Sequence, residues 1–113
     1  MKTRMTRIND EIAHAVAKLI RTEMSDPRLG IIVSVLRAET TSDLKTCKIF
    51  VSVLGNEHEQ QSAMKALANA TGFVRKHIAG VINLRQTPEI KFIYDDAIEH
   101  GMKMLKKIEA LVE

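Results

Sequence analysis

The sequence predicts an α+β fold in which a three-stranded mixed sheet carries helices on one face. Three observations predict it. Apolar residues near the amino terminus recur at three- and four-residue spacing. Two β-branched runs follow, separated by a tetrapeptide of turn composition. A long helical pattern broken near a glycine then leads into a third alternating run. The predicted order is helix, strand, strand, kinked helix pair, strand, helix.

In the first helix the stripe is Ile8, Ile12, Ala15, Val16 and Leu19, reaching to about Met24. Proline bars its predecessor from helical geometry, so Asp26-Pro27-Arg28-Leu29-Gly30 reads as a turn. Ile31 to Leu36 and Cys47 to Leu54 read as an antiparallel hairpin across Thr40-Thr41-Ser42-Asp43. In the second strand Cys47, Ile49, Val51 and Val53 share one face, with Lys48 and Ser52 on the other. From Glu57 to Leu84 the pattern is helical, with Met64, Leu67, Ala68 and Thr71 followed by Val74, Ile78, Val81 and Ile82. Gly72 costs about 1 kcal/mol relative to alanine inside a helix, which places a kink at Ala70-Thr71-Gly72. Glu89 to Tyr94 alternates as a third strand, parallel to the second because two helices return the chain to the sheet. Asp95 or Asp96 then caps a last helix with Ile98, Met102, Leu105, Ile108 and Leu111 inward.

At 113 residues and 45% hydrophobic content the chain fits one domain, 1–113, with no linker composition inside it. No run of about 18 apolar residues occurs and the charged start lacks a signal-like apolar stretch, so a soluble cytoplasmic protein away from membranes is expected. Cys47 is the only cysteine, which excludes an internal disulfide or a cysteine zinc cluster. It alternates inward, where an inert thiol belongs.

Net charge is +3, and its distribution is more informative than its size. Between Glu59 and Glu89 there is no acidic residue, yet the stretch holds Lys65, Arg75, Lys76 and Arg85 with His77. Lys2, Arg4 and Arg7 precede the first acid, Asp10. With Val74 at zero on a helical wheel, Val81, Ile78 and Ile82 fall within about 80°. Lys76 falls opposite, among Gly72, Ala79, Gly80 and Asn83, with Arg75 on the flank. A small, basic outer face admits a phosphate backbone. The alternative is a solvated face, but the stretch has no acids to form the usual i,i+4 pairs. Lys2 and Arg4 read as a flexible arm extending the basic surface. With no tryptophan and only Phe50, Phe73, Phe92 and Tyr94, binding is expected to follow shape and phosphates rather than bases.

Reaction chemistry is poorly represented. Asp95, Asp96 and His100 have the composition of an acid/base or metal cluster, but acids at a helix start are more simply caps. His14, His58, His77 and His100 lack ligand spacing, and no Walker or dinucleotide glycine pattern occurs. No metal, cofactor or small-molecule substrate is expected.

Five ordered blocks carry a family likeness: Asp26-Pro27-Arg28-Leu29-Gly30, Lys48 through Gly55, Ala70-Thr71-Gly72-Phe73-Val74-Arg75, Leu84 through Phe92, and Asp95 through Gly101. In this order and spacing they resemble the ribosome-binding factor A family over nearly the whole chain. The resemblance implies a type II KH-like fold and a non-enzymatic protein. It implies transient association with the immature small ribosomal subunit through ribosomal RNA, in late maturation and RNA processing, and importance in the cold. It implies RNA contacts at Arg75, Lys76 and Arg85, with Gly72 shaping the surface. Ala70-Thr71-Gly72 stands where typical KH domains carry a Gly-Xaa-Xaa-Gly clamp, so strand clamping of the usual kind is not expected. Two rivals remain: a small basic protein-interaction module, and a hydrolase using Asp95, Asp96 and His100. A monomer is expected, since no extra apolar stripe is present.

Overall fold

The computed structural model describes residues 3–24, 29–96 and 105. Helix α1 spans Arg4–Thr22 and a short helix α2 spans Leu29–Ile32. Strands β1 (Val33–Thr40) and β2 (Thr46–Val53) follow, then α3 (Glu57–Asn69), α4 (Thr71–Val81) and β3 (Glu89–Tyr94). The sheet has the order β1-β2-β3, with β1 antiparallel and β3 parallel to β2, as the sequence predicts.

Local chemistry explains the element ends. The Thr3 side-chain oxygen accepts the Thr6 N–H at 3.1 Å and caps α1. The helix therefore begins earlier than its apolar stripe: Arg4, expected in a flexible arm, is its first residue and Arg7 lies in its first turn; Lys2 lies outside the described residues. Leu29 and Gly30, expected in a turn, and Ile31 and Ile32, expected in a strand, form α2 instead. The strand begins at Val33 and runs on to Thr40, so the hairpin turn falls at residues 41–45. The rest of the predicted turn lies outside the described residues.

Asn56 and Glu59 close a capping box at the start of α3, with bonds of 2.8 and 3.2 Å. Gly55 precedes it at φ +132°, where a Cβ would also lie 3.0 Å from the Glu59 Cβ. The break between α3 and α4 falls where the sequence predicts. It is carried by Ala70 (φ −95°, ψ 1°), whose N–H is shared between the carbonyls of Ala66 and Leu67 at 3.1 and 3.0 Å. Gly72 lies inside α4 with a negative φ, so the break does not draw on glycine's conformational freedom.

Helix α4 ends at Val81, three residues short of the predicted Leu84. Val81 is 57% exposed rather than inward. The core is one layer of side chains between sheet and helices: Ile12, Val16 and Leu19 of α1, Cys47, Ile49 and Val51 of β2, Leu67 of α3, and Val74 and Ile78 of α4. Burying each large aliphatic side chain contributes roughly 1.5–3 kcal/mol. The predicted last helix lies outside the described residues except for Leu105, which is helical and 61% exposed rather than inward.

Candidate nucleic-acid interface

Packing α1 across the sheet sets its first two turns beside the loop that leaves α4. A groove of about 790 Å³ opens there, and Arg4 and Arg7 line it from α1 while Asn83, Leu84 and Arg85 line it from the loop. Three of the sequence-predicted RNA contacts, from segments about 80 residues apart in the chain, thus share one concave surface. Arg4, Arg7 and Arg85 are all exposed. One acid, Glu11, faces the same groove.

The electrostatics point the same way. The first turn of α1 contains no acidic residue, so its positive end is left unneutralised and two arginines are added to it. Cations at that end cost roughly 0.3–1 kcal/mol each, whereas an anion there is stabilised by dipole and side chain together. The hairpin tip closes the groove from the third side. Leu44, one of its lining residues, has φ +62°, a conformation costing a non-glycine residue roughly 1–2 kcal/mol. It is held by the Leu44 N–H bond to the Thr41 carbonyl (2.9 Å) and by Asp43, whose carboxylate accepts from the Thr41 hydroxyl (2.6 Å) and the Lys45 N–H (3.1 Å). These bonds, the hydroxyl first, hold the Asp43 pKa below the ordinary carboxylate value.

Arg75 does something the sequence reading missed. Its guanidinium donates to the Thr87 carbonyl at 3.0 Å, tying α4 to the loop that carries Arg85. That loop is pinned again where the Glu89 N–H donates to the Lys45 carbonyl at 2.8 Å. No sequence signal announces the Arg75 bond, because its acceptor is a backbone carbonyl. Lys76 is exposed on α4 and Lys65 on α3; neither lines the groove. Around Gly72 and Gly80 an added Cβ would meet nothing within 4 Å, so the outer surface of α4 is open to a partner.

Of the alternative catalytic residues, Asp95 is engaged by Arg37, its carboxylate accepting from the guanidinium at 3.0 Å. Asp96 is exposed and His100 lies outside the described residues. No cluster of three His, Cys, Asp or Glu side chains able to hold a metal occurs among the described residues. Burial pushes the Cys47 thiol pKa up, which keeps it protonated and unreactive. No described helix is long and apolar enough to cross a membrane.

The architecture defines the class first: a KH-like α+β domain of the type II order, with a basic groove where the start of α1 meets the α4–β3 loop. A model of the family described as ribosome-binding factor A matches residues 4–108, and the chain belongs to that family. It is 44% identical over 108 residues to ribosome-binding factor A of Lachnospira eligens, covering 96% of this chain and 83% of that one. It is 42% identical to its counterpart in Agathobacter rectalis, covering 95% and 88%. The crystal structure of ribosome-binding factor A from Thermus thermophilus superposes with a TM-score of 0.71 at 21% identity, over 81% of this chain and 97% of that one. A homology model of the Thermus factor, fitted into a cryo-electron microscopy map of its complex with the 30S subunit, superposes with a TM-score of 0.65 at 20% identity, over 81% and 96%.

Proposed function

We propose that this chain binds the immature small ribosomal subunit through ribosomal RNA and assists late maturation and RNA processing, including in the cold, as a monomer without catalysis of its own. The observation that carries the reading is the convergence of Arg4, Arg7 and Arg85 on one groove at the unneutralised end of α1. A phosphate backbone satisfies that charge, and Lys76 and Lys65 extend the contact over the helices, with Lys2 preceding α1. Arg75 acts through the loop it braces. The break at Ala70 lacks a Gly-Xaa-Xaa-Gly clamp, and with few aromatics present the contact reads shape and phosphates more than base sequence.

The test is co-sedimentation with small subunits purified from an assembly-defective strain, across a salt series, for the wild type and for Arg4→Gln, Arg7→Gln, Arg85→Gln combined. Loss of three phosphate contacts is expected to flatten the slope of log K against log salt by about 2 on single strands and nearly 3 on duplex. A variant that is folded and binds with the wild-type slope refutes the groove. A wild type that fails to bind at low salt refutes the ribosomal reading and favours a protein-interaction module.

A further inference from the structure

The groove leaves the opposite face of the sheet unused. That face carries Arg37 and Glu39 of β1, Lys48, Phe50 and Ser52 of β2, and Lys91 and Ile93 of β3, since their neighbours Ala38, Ile49, Val51 and Ile90 are buried against the helices. A bulge at Leu36 shifts the register so that Arg37 lies across from Phe50. The guanidinium carbon sits 4.0 Å over the ring centroid. Two carboxylates hold it there, Glu39 accepting from Nε at 3.2 Å and Asp95 from Nη1 at 3.0 Å. The Arg37 side chain is nevertheless 48% exposed, so the side of its plane away from Phe50 faces solvent.

Beside this stack, Lys48 and Lys91 are direct partners across the parallel β2–β3 pair, and both are exposed. Like charges placed directly opposite destabilise a sheet. Glu39 is the cross-strand partner of Lys48, but its carboxylate is turned to Arg37, and neither lysine has an ion pair among the described residues. Glu89 shares the face only at the start of β3, paired with Thr46. The face therefore presents a rigid planar cation on an aromatic ring next to two uncompensated ammonium groups. A flat π-system with flanking negative charge complements it, and an unpaired nucleotide has both.

We propose that this open face is a second RNA contact, specific for single strands, in which an unstacked base lies on the Arg37 guanidinium and the adjoining phosphates meet Lys48 and Lys91. It rests on the ribosomal reading only for the class of nucleic acid. The contact needs no base-edge readout, so it tolerates any sequence. It requires an unpaired strand, because a base inside a helix does not expose its ring face.

The experiment is fluorescence anisotropy of the full chain with a short labelled oligouridylate and with an abasic strand of the same length, at low salt. The intact strand is expected to bind about tenfold more tightly than the abasic one. Arg37→Lys, which keeps the charge and loses the plane, is expected to remove that difference, and Phe50→Leu to reduce it. Lys48→Ala with Lys91→Ala is expected to lower affinity for both strands and flatten the salt slope by about 1.4. Thermal melts identify the folded fraction of each variant, and should Phe50→Leu not fold, Arg37→Lys decides alone. Equal binding of intact and abasic strands, or a folded Arg37→Lys protein that still distinguishes them, overturns the proposal. The groove variant Arg4→Gln, Arg7→Gln, Arg85→Gln keeps the intact-over-abasic preference if the sheet face acts independently, and loses it if the preference belongs to the groove, which also overturns the proposal. Subunit co-sedimentation of that same variant judges the ribosomal reading separately.

Discussion

Arg75→Lys separates a brace from a phosphate contact, because lysine preserves the charge and loses the fixed fork of the guanidinium. In the structure one nitrogen donates to the Thr87 carbonyl at 3.0 Å, two residues after Arg85 and just before the buried Pro88. A hydrogen bond from a charged donor contributes roughly 1.5–3 kcal/mol, and the exposure of Arg75 reduces this to about 1 kcal/mol. For a domain of this size that lowers Tm by about 4 °C. If the loop must be re-ordered on binding, the same free energy reappears as up to a fivefold loss of affinity for the small subunit. The salt slope is unchanged in Arg75→Lys and in Arg75→Gln, because no phosphate contact is lost. Thermal melting and salt-series co-sedimentation of both variants are the assays. A silent Arg75→Lys paired with an Arg75→Gln slope flatter by about 0.7 to 0.9 refutes the brace and makes Arg75 a direct contact.

Three further outcomes follow from local geometry. Gly55→Ala forces a side chain to φ +132° and a Cβ to within 3.0 Å of Glu59, so urea unfolding is expected to show a loss of about 2 kcal/mol; a loss below about 0.5 kcal/mol contradicts the strain argument. The buried Cys47 thiol, with its pKa raised, is expected to react with a thiol-disulfide reagent at pH 8 only as fast as the domain opens; a rate like that of a free thiol disproves the burial. Asp43 has a folded pKa below its unfolded one, so its stabilisation of the hairpin tip is complete above the unfolded value and is lost as pH falls through the lowered folded value. Amide exchange at Lys45, whose N–H donates to Asp43, is expected to lose protection in that acid window, and Asp43→Asn to abolish the pH dependence.

The strands and long helices were legible because their signals are local and periodic. Cys47, Ile49, Val51 and Val53 alternate in sequence and are all buried in space. The break at Ala70 was legible too, although its predicted agent was not. Gly72 suggested a conformational reason, whereas the chain breaks through a residue in the bridge region that alanine adopts and leaves Gly72 helical. Ile31 and Ile32 misled by composition. Their β-branching favours a strand, but they sit in the short helix that turns the chain into the sheet, and the Ile32 carbonyl there accepts the Leu54 N–H at 2.8 Å. The early start of α1 had a readable signal in Thr3, whose cap was overlooked because the apolar stripe begins only at Ile8.

The groove is of a different kind, because no window of sequence contains it. Arg4 read as part of an arm, Arg7 as one more basic residue before the first acid, and Arg85 as a residue past the helix expected to end at Leu84; only the packing of α1 across the sheet and the early end of α4 bring them together. Charge counting found the residues but not their grouping. It grouped Arg85 with Arg75 and Lys76 as phosphate contacts, whereas in the structure Arg85 lines the groove with Arg4 and Arg7 and Arg75 donates to the Thr87 carbonyl. Helix electrostatics sharpen the distinction. A folding-optimised α1 carries acids in its first turn, and replacing Arg4 by Glu there would add stability from the helix dipole. The sequence instead carries arginine, accepts that cost together with the left-handed Leu44 at the hairpin tip, and concentrates both at one surface. Places where a fold departs from its own stability rules in a cluster are places where another partner supplies the missing free energy. On the proposed reading the missing free energy here is electrostatic, and a phosphate backbone would supply it.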